Sequence, residues 1–250
     1  MQFRFLTIYI FIISLSLTKT AAAGETEDCC GSAGDCVVMA QRYEKLAVSL
    51  DDINWKVRLQ AAEKFIEAAQ IATTLEEYRQ VRIALLSSLA LRDKVDVIRW
   101  RIVQTFAYLI TKVNDLRERE IIRKALFCSV EDIDSSTSHM AAGGIVDFCE
   151  TARDSEYSPT IRELSKLRCR YEDNSGEDGG RIRSTLASAF QVLARHVTGA
   201  EDIGLIRAEL ICLRDHRNRK AVLTTNAALV GLAVIDEKIK DLPHLSHLLG

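Results

Sequence analysis

Proline is scarce in this chain: Pro159 and Pro243 are the only two among 250 residues. Aromatic residues make up only 6% of the sequence, while alanine, leucine, isoleucine, arginine and glutamate recur throughout. Most of these abundant residues suit long helices, which proline would interrupt. The composition therefore speaks against a β-rich fold and predicts an all-α protein.

An excess of charge of one sign is also lacking. The formal net charge is −2, with 33 basic and 35 acidic residues interspersed along the chain. Removal of the first 23 residues would take away Arg4 and Lys19 and leave −4. Proteins that bind nucleic acids usually carry a basic domain or stripe. We therefore expect no nucleic-acid partner.

Motifs of known catalytic sites are missing as well. The chain contains no Gly-x-Ser-x-Gly, no P-loop and no Gly-x-Gly-x-x-Gly. His244 and His247 could share a helical face, but no acidic ligand lies beside them. The acidic stretch 172–178 lacks the ligand spacing of an EF-hand. We therefore predict a non-enzymatic protein with no metal and no cofactor.

The one long apolar run lies at the N-terminus. Residues 5–17 are apolar after the basic Arg4, and residues 21–23 are three alanines. This order is typical of a secretory signal peptide, here cleaved after Ala23. An uncleaved anchor is the alternative, but the run is shorter than the roughly 18 residues that span a bilayer. We expect a secreted or periplasmic protein with no membrane segment after cleavage.

The seven cysteines form two groups. Cys29, Cys30 and Cys36 lie in a polar, acidic leader at residues 24–36. A disulfide between Cys29 or Cys30 and Cys36 is one possibility, and free thiols are the other. Because the total is odd, at least one thiol is free or bonded to another molecule.

The other four cysteines are Cys128, Cys149, Cys169 and Cys212. We predict that they are buried, reduced thiols that act as small apolar residues. Stacked helices lie about 10 Å apart, whereas a disulfide needs Cα atoms within about 7 Å. Equivalent cysteines in neighbouring units should therefore not bond easily.

From Val37 onwards, apolar residues recur with the 3.6-residue period of amphipathic helices. An N-terminal capping helix is predicted at 37–50, repeats at 51–235 and a C-terminal cap at 236–250, with Pro159 at the start of a helix. The predicted helix pairs are 55–71 with 75–91, 97–113 with 116–131, 136–152 with 159–171, and 181–197 with 201–214, and a fifth unit opens at 219–234.

A seven-residue sequence motif repeats at the start of the first two units. Asp52 to Arg58 reads Asp-Ile-Asn-Trp-Lys-Val-Arg, and Asp93 to Arg99 reads Asp-Lys-Val-Asp-Val-Ile-Arg, 41 residues later. Repetition at such a period indicates a repeat architecture. The arginine position maps further to His139, Arg183 and Leu223.

The second helices repeat independently. One position holds Leu85, Leu126, Leu167 and Leu210. Three residues earlier stand Arg82, Arg123, Leu164 and Arg207, and two residues later stand Ser87, Cys128, Cys169 and Cys212. Agreement of two helices over four units supports the period.

The Asp-x4-Val/Ile-Arg phrase, with an alanine-rich first helix and a leucine-rich second helix, resembles HEAT repeats, especially the short kind found in phycobilin-lyase-like proteins. The resemblance covers about residues 50–235 and implies a right-handed α-solenoid of about four and a half HEAT-like helical hairpins. It also implies that the aspartate caps a helix and the arginine ties neighbouring units. These structural roles would fall to Asp52, Arg58, Asp93, Arg99 and Arg183.

The candidate partner-binding residues are Arg82, Arg123 and Arg207. In the folds that the chain resembles, second helices line the concave face, so these arginines would form a ladder interrupted at Leu164. Such a ladder could clamp carboxylates or phosphates. Alternatively, each arginine pairs with a local acid such as Glu77 or Glu118, or covers apolar surface with the stem of its side chain. Trp55 and Trp100 are interpreted as packing residues or convex-surface anchors.

The function that follows is an exported scaffold that binds another protein. This expectation rests on the resemblance in fold and on the missing catalytic motifs. One alternative is a tetrapyrrole or small-ligand carrier, or a lyase-like HEAT protein. A nucleic-acid enzyme similar to HEAT-like DNA glycosylases is a further alternative, which the net acidity and the export signal oppose.

Overall fold

The computed structural model describes residues 43–171, 177–215, 222–242 and 245. The side chains of residues 177, 178, 215, 222 and 223 are excepted. The predicted signal peptide, the leader with Cys29, Cys30 and Cys36, and most of the predicted C-terminal cap lie outside the described residues.

Nine helices follow an initial helical stretch at residues 43–50, and the described part of the chain contains no strand. They are α1 (Trp55–Ile71), α2 (Leu75–Ser87), α3 (Asp96–Lys112), α4 (Leu116–Ser129), α5 (Ser135–Thr151), α6 (Asp154–Tyr171), α7 (Glu177–His196), α8 (Ala200–Asp215) and α9 (Val222–Asp241). Four hairpins, α1–α2 to α7–α8, precede the first helix of a fifth unit. This is the all-α solenoid that the sequence predicts.

Side chains at the N-termini explain where several helices begin. The Asn54 side chain accepts a hydrogen bond from Lys56 N ahead of α1. Thr74 and Glu77 form a capping box at α2, in which each side chain accepts a backbone N–H of the other residue. Asp134 caps α5 by accepting from Thr137 N. Each contact satisfies a backbone donor that the first helical turn leaves free.

Several predicted boundaries are wrong. Helix α7 begins at Glu177 rather than at residue 181, and α9 ends at Asp241 rather than at residue 234, within the predicted C-terminal cap. Helix α2 ends at Ser87, and a short 3₁₀ turn at Ala90–Arg92 follows instead of continuous α-helix to residue 91. Helix α6 begins at Asp154, so Pro159 lies inside it rather than at its start. The side chain of Glu156 accepts from Arg153 N at 2.9 Å, which supplies the cap ahead of the proline.

Neighbouring units contact each other mainly through their first helices. Helices α1, α3, α5, α7 and α9 pack against one another in that order, and the closest approach among the second helices of the described chain, between α6 and α8, is looser. Gly144 shows why: a methyl group on it would lie 2.9 Å from Ala107 Cβ and 3.2 Å from Ala107 Cα. Alanine and glycine on the facing sides therefore let the first helices lie unusually close.

The core runs continuously between the two layers of helices. Phe65, Phe106, Phe148 and Phe190 are fully buried at matching places in the four first helices. They belong to one apolar cluster that extends through every unit, as expected where no unit can bury its apolar face alone. Within the described residues, none of the helices has the length and apolarity to cross a membrane.

Candidate functional site

Arg58 joins the first two units. Its Nη1 donates to the backbone oxygens of Asp52 at 2.8 Å and Ile53 at 3.1 Å. Its Nε and Nη2 donate to the two carboxylate oxygens of Asp93, at 2.5 and 3.0 Å. One guanidinium thereby holds its own loop and the equivalent loop of the next unit, in a bidentate geometry that only arginine provides.

Arg99 repeats this arrangement between units two and three. Nη1 donates to Asp93 O at 2.6 Å, and Nε and Nη2 donate to the Asp132 carboxylate, both at 2.8 Å. The aspartates also order the loops, because Asp93 accepts from Val95 N at 2.9 Å. Asp93 stands two residues before the N-cap Val95. The aspartate therefore organises the turn ahead of the cap rather than capping the helix itself.

Units three and four depart from the arginine pattern in different ways. The residue four positions after the N-cap of α5 is Ser138, not His139 as the sequence register had it. Ser138 is buried, and its hydroxyl donates to Val130 O at 2.6 Å. In unit four, the buried Arg183 donates from Nη1 to Tyr171 O at 2.9 Å, and burial lowers the pKa of its guanidinium.

The three candidate partner-binding arginines all lie in ion pairs. Arg82 donates to both Glu118 oxygens at 2.8 and 3.0 Å. The guanidinium of Arg123 binds Glu163 of the next unit, and its side chain is only 3% exposed. Arg207 Nε lies 3.0 Å from Asp236 Oδ1. This geometry favours the alternative that the arginines link units, while binding of a partner through them stays a prediction.

The gap in this arginine series lies at Ile161 rather than at Leu164. The Tyr157 hydroxyl donates to Ala152 O, as Tyr78 does to Ala72 O, so α6 aligns with α2 from its first turn. Leu164 then corresponds to the leucine position of the other second helices. The sequence register placed Leu167 there because both leucines lie on the buried side.

The prediction of four buried cysteines is wrong for three of them. Cys128, Cys169 and Cys212 are exposed free thiols on second helices, and only Cys149 of the four is buried. Burial raises the pKa of the Cys149 thiol strongly. The outer turns of the second helices face solvent, so a position that looks apolar in sequence is not covered there.

A strip of half-buried side chains follows the outer surface of the first helices. Trp100, Gln104 and Tyr108 stand one turn apart on α3, and Gly143 and Asp147 lie on α5. We call these five residues the first-helix strip. Because Gly144 next to it contacts α3 directly, the two halves of the strip adjoin. A methyl group on Gly143 itself would meet no atom within 4 Å, so the strip is open at this point.

The chemistry of the strip is mixed aromatic and polar. The guanidinium of Arg101 lies 4.6 Å from the centre of the Trp100 ring, and Lys112 Nζ lies 5.5 Å from that of Tyr108. Burial, together with the charge of Glu150, raises the pKa of Asp147. Among the described side chains, none donates a hydrogen bond to its carboxylate.

The strip lies on the layer of first helices, which make the closest contacts of the stack. The expectations that second helices line the concave face, and that Trp55 and Trp100 are packing residues or convex-surface anchors, stay predictions. Sequence periodicity alone missed the strip, because its aromatic residues repeat with the same period as core residues.

No protein-family model matches the chain, and no curated protein is significantly similar to it in sequence. Solved structures do match. An engineered protein is 15% identical, with a TM-score of 0.55 over 82% of this chain and 85% of its own. A computationally designed armadillo repeat protein for modular peptide recognition is 16% identical, with a TM-score of 0.52 over 82% of this chain and 87% of its own.

A second designed armadillo repeat protein was solved in complex with the peptide (KR)4. It is 17% identical to this chain, with a TM-score of 0.53 over 81% of this chain and 87% of its own. At these identities the likeness concerns the fold alone. The described chain therefore has an armadillo- or HEAT-like α-solenoid fold.

Proposed function

We propose that this chain is an exported, non-enzymatic scaffold that binds an extended segment of another protein along the first-helix strip. The observation that carries the proposal is the strip itself, a row of half-buried residues along the solvent-facing side of α3 and α5. Trp and Tyr are the residues that contribute most to protein interfaces, because they bury a large area at low entropic cost.

The polar members of the strip suit an extended backbone and a basic side chain. The Gln104 amide nitrogen can donate to main-chain groups, and its oxygen, which accepts from Arg101 Nη1 at 3.1 Å, has a second lone pair. Burial and, second, the like charge of Glu150 raise the pKa of Asp147, and a bound cation would offset both effects. The open point at Gly143 leaves room for a chain to pass close to α5.

The structural neighbours support the class of partner. Designed armadillo repeat proteins recognise peptides in a modular way, and one of them holds an alternating lysine-arginine peptide. A solenoid presents one element per repeat, so it can follow an extended chain residue by residue. These neighbours support only the class of ligand, a protein segment, and the first-helix strip is the site that we propose for it.

Site-specific photocrosslinking tests the proposal. A benzophenone amino acid at Gln104 should crosslink the partner in the native compartment, and the same group at Lys124 should not. Lys124 is the matched control because it is exposed on the second helix α4, away from the strip. Crosslinks from Lys124 alone, or from neither position, would contradict binding along the strip.

The export part of the proposal rests on residues 1–23 and has its own test. The protein isolated from its source should begin at Gly24, which intact-mass measurement would show directly. Protein that retains Met1 in every fraction would remove the export step and leave the strip untouched.

The second-helix arginines remain the competing surface. Replacement of Arg82 and Arg207 by alanine would abolish partner capture if they bind the partner, provided that circular dichroism shows an intact fold. Unchanged capture by this variant, together with its loss in a Trp100→Ala variant, would assign binding to the first-helix strip.

A further inference from the structure

Helices α6 and α8 are held together more closely than the other second helices. The Ser158 hydroxyl donates to the Asp202 carboxylate at 2.6 Å near the start of both helices. The Arg168 guanidinium binds Glu209 near their ends. Backbone Cα atoms of the two helices approach within 8 Å. The two helices therefore run parallel in a register that these two contacts fix.

This register brings Cys169 and Cys212 to the same end of the two helices, about one helical turn apart when Leu164 is aligned with Leu210. Cys169 follows Arg168 directly, and Cys212 lies three residues after Glu209, on the same side of α8. Both thiols are exposed. The two cysteines thus flank the Arg168–Glu209 ion pair on the solvent side of neighbouring units.

Arg168 provides a charge that both sulfurs share. Its Nη2 lies 3.4 Å from Cys169 Sγ. Burial lowers the pKa of the Arg168 guanidinium, but the negative charge of Glu209 and smaller contributions from Cys169 and Cys212 raise it by more in sum. Both sulfurs therefore lie within electrostatic range of one guanidinium.

Cys128 is an exposed thiol on a second helix that lacks the close helix–helix approach seen between α6 and α8. It lies on α4, and its thiol pKa is raised, chiefly by burial and further by the charge of Glu163. Its helix has no comparable approach to α6. Cys128 is therefore a natural internal control for the pair.

We propose that Cys169 and Cys212 form a redox-active pair that closes to a disulfide between units three and four, by exchange with a low-molecular-weight disulfide. One cysteine thiolate attacks the external disulfide, forms a mixed disulfide and releases one external thiol. The second cysteine thiolate then attacks the cysteine sulfur of the mixed disulfide and releases the second external thiol. Two cysteine thiols are oxidised, one external disulfide is reduced, and the two protons pass to the released thiolates.

Contacts between the helices distinguish this pair from Cys128. Arg168 contacts Cys169 Sγ through Nη2 at 3.4 Å and binds Glu209, one turn before Cys212, so one side chain bridges the two cysteine positions. A disulfide requires Cα atoms within about 7 Å, so closure would draw the ends of α6 and α8 together beside this ion pair. The inference stands independently of the proposed partner and of export, although an oxidising compartment would favour the closed form.

Oxidation of the full chain followed by mass spectrometry tests the proposal. The protein is equilibrated with mixtures of reduced and oxidised glutathione, alkylated, and digested without reduction by a protease that cleaves after Glu163 and Glu209. We expect a linked peptide pair that contains Cys169 and Cys212, two hydrogen atoms lighter than the two peptides together. Replacement of Cys128 by serine should leave the link intact.

A second variant tests the role of the arginine. Arg168→Met removes the ion pair that holds the ends of α6 and α8 together, so it should slow formation of the link on the order of 10-fold while alkylation of Cys128 keeps its rate. Glutathione adducts on single cysteines at full oxidation, without the Cys169–Cys212 link, would overturn the pairing. A link between Cys128 and Cys169 of equal abundance would overturn it too.

Discussion

Arg58 of the first unit binds Asp93 of the second through two parallel hydrogen bonds, at 2.5 and 3.0 Å. The same aspartate accepts Val95 N at 2.9 Å, so it joins the preceding unit to the turn that starts its own helix. Arg99 and Asp132 repeat the pair one unit later. The recurring Asp-x4-Val/Ile-Arg motif thus links neighbouring units. Any function has to be sought on other residues.

Loss of one such arginine–aspartate pair between units should destabilise the solenoid measurably. In an Arg99→Met variant, the Asp132 carboxylate would stay largely buried without its partner. Removal of one member of a buried pair costs about 3–5 kcal/mol, and partial exposure of this pair lowers our expectation to about 2–4 kcal/mol. The midpoint and slope of urea unfolding would measure the loss.

Arg162→Met is the matched control for that variant. Arg162 pairs with Glu201 in the next unit, but the two side chains are 61% and 74% exposed. Exposed pairs contribute less than about 1 kcal/mol. Equal destabilisation by both variants would show that burial of the Arg99–Asp132 pair does not increase its contribution to the free energy of unfolding.

The Asp93 pair also predicts how stability depends on pH. Burial raises the pKa of Asp93, but hydrogen bonds from Arg58 and Val95 and the nearby positive charges lower it by more in sum. A carboxyl whose folded pKa is depressed stabilises the fold above its unfolded pKa of about 3.9, and the contribution is lost as the pH falls through the folded value.

An Asp93→Asn variant should therefore lose stability mainly at neutral pH. Its free energy of unfolding should fall less than that of the wild type between about pH 5 and pH 3, because the titrating group is gone. Urea unfolding at a series of pH values would measure both slopes. Parallel curves for the two proteins would mean that Asp93 does not carry this pH dependence.

The sequence predicted the helix pairs well because the apolar period of 3.6 residues survives in every unit. It placed unit three incorrectly in two places. Ser138 holds the arginine position, and Leu164 holds the leucine position, where His139 and Leu167 were predicted. Aligning the units from sequence depends on similar residues at equivalent positions. Unit three has no arginine at either of its arginine positions, which are Ser138 in the first helix and Ile161 in the second.

The binding surface was less predictable than the fold. Trp100 and Tyr108 repeat at helical spacing, which in sequence is the same pattern as a buried stripe. Their exposure depends on which side of α3 its neighbours cover, and that side is decided by small residues such as Ala107 and Gly144. Contacts between residues distant in sequence therefore determine which side of α3 is exposed, which the helical period alone does not reveal.

The exposed thiols give a direct test of the corrected cysteine placement. Site-resolved alkylation of the native protein should modify Cys128, Cys169 and Cys212 readily. Cys149 is fully buried and its thiol pKa is strongly raised, so it should react on the order of 100-fold more slowly. Peptide mapping at several times would give the rates, and equal rates at Cys149 and Cys128 would contradict the placement of Cys149 in the core.

Two adjacent glycines on α5 should respond oppositely to the same substitution. In Gly144→Ala, the new methyl group would lie 2.9 Å from Ala107 Cβ and 3.2 Å from its Cα, so α3 and α5 must separate. Overpacking of this kind costs about 1–3 kcal/mol. In Gly143→Ala, the methyl group meets no atom within 4 Å and the helix gains up to about 1 kcal/mol from alanine. Thermal unfolding of both variants would measure the difference, and a stabilising Gly144→Ala would show that the first helices are not in the close contact on which the position of the first-helix strip depends.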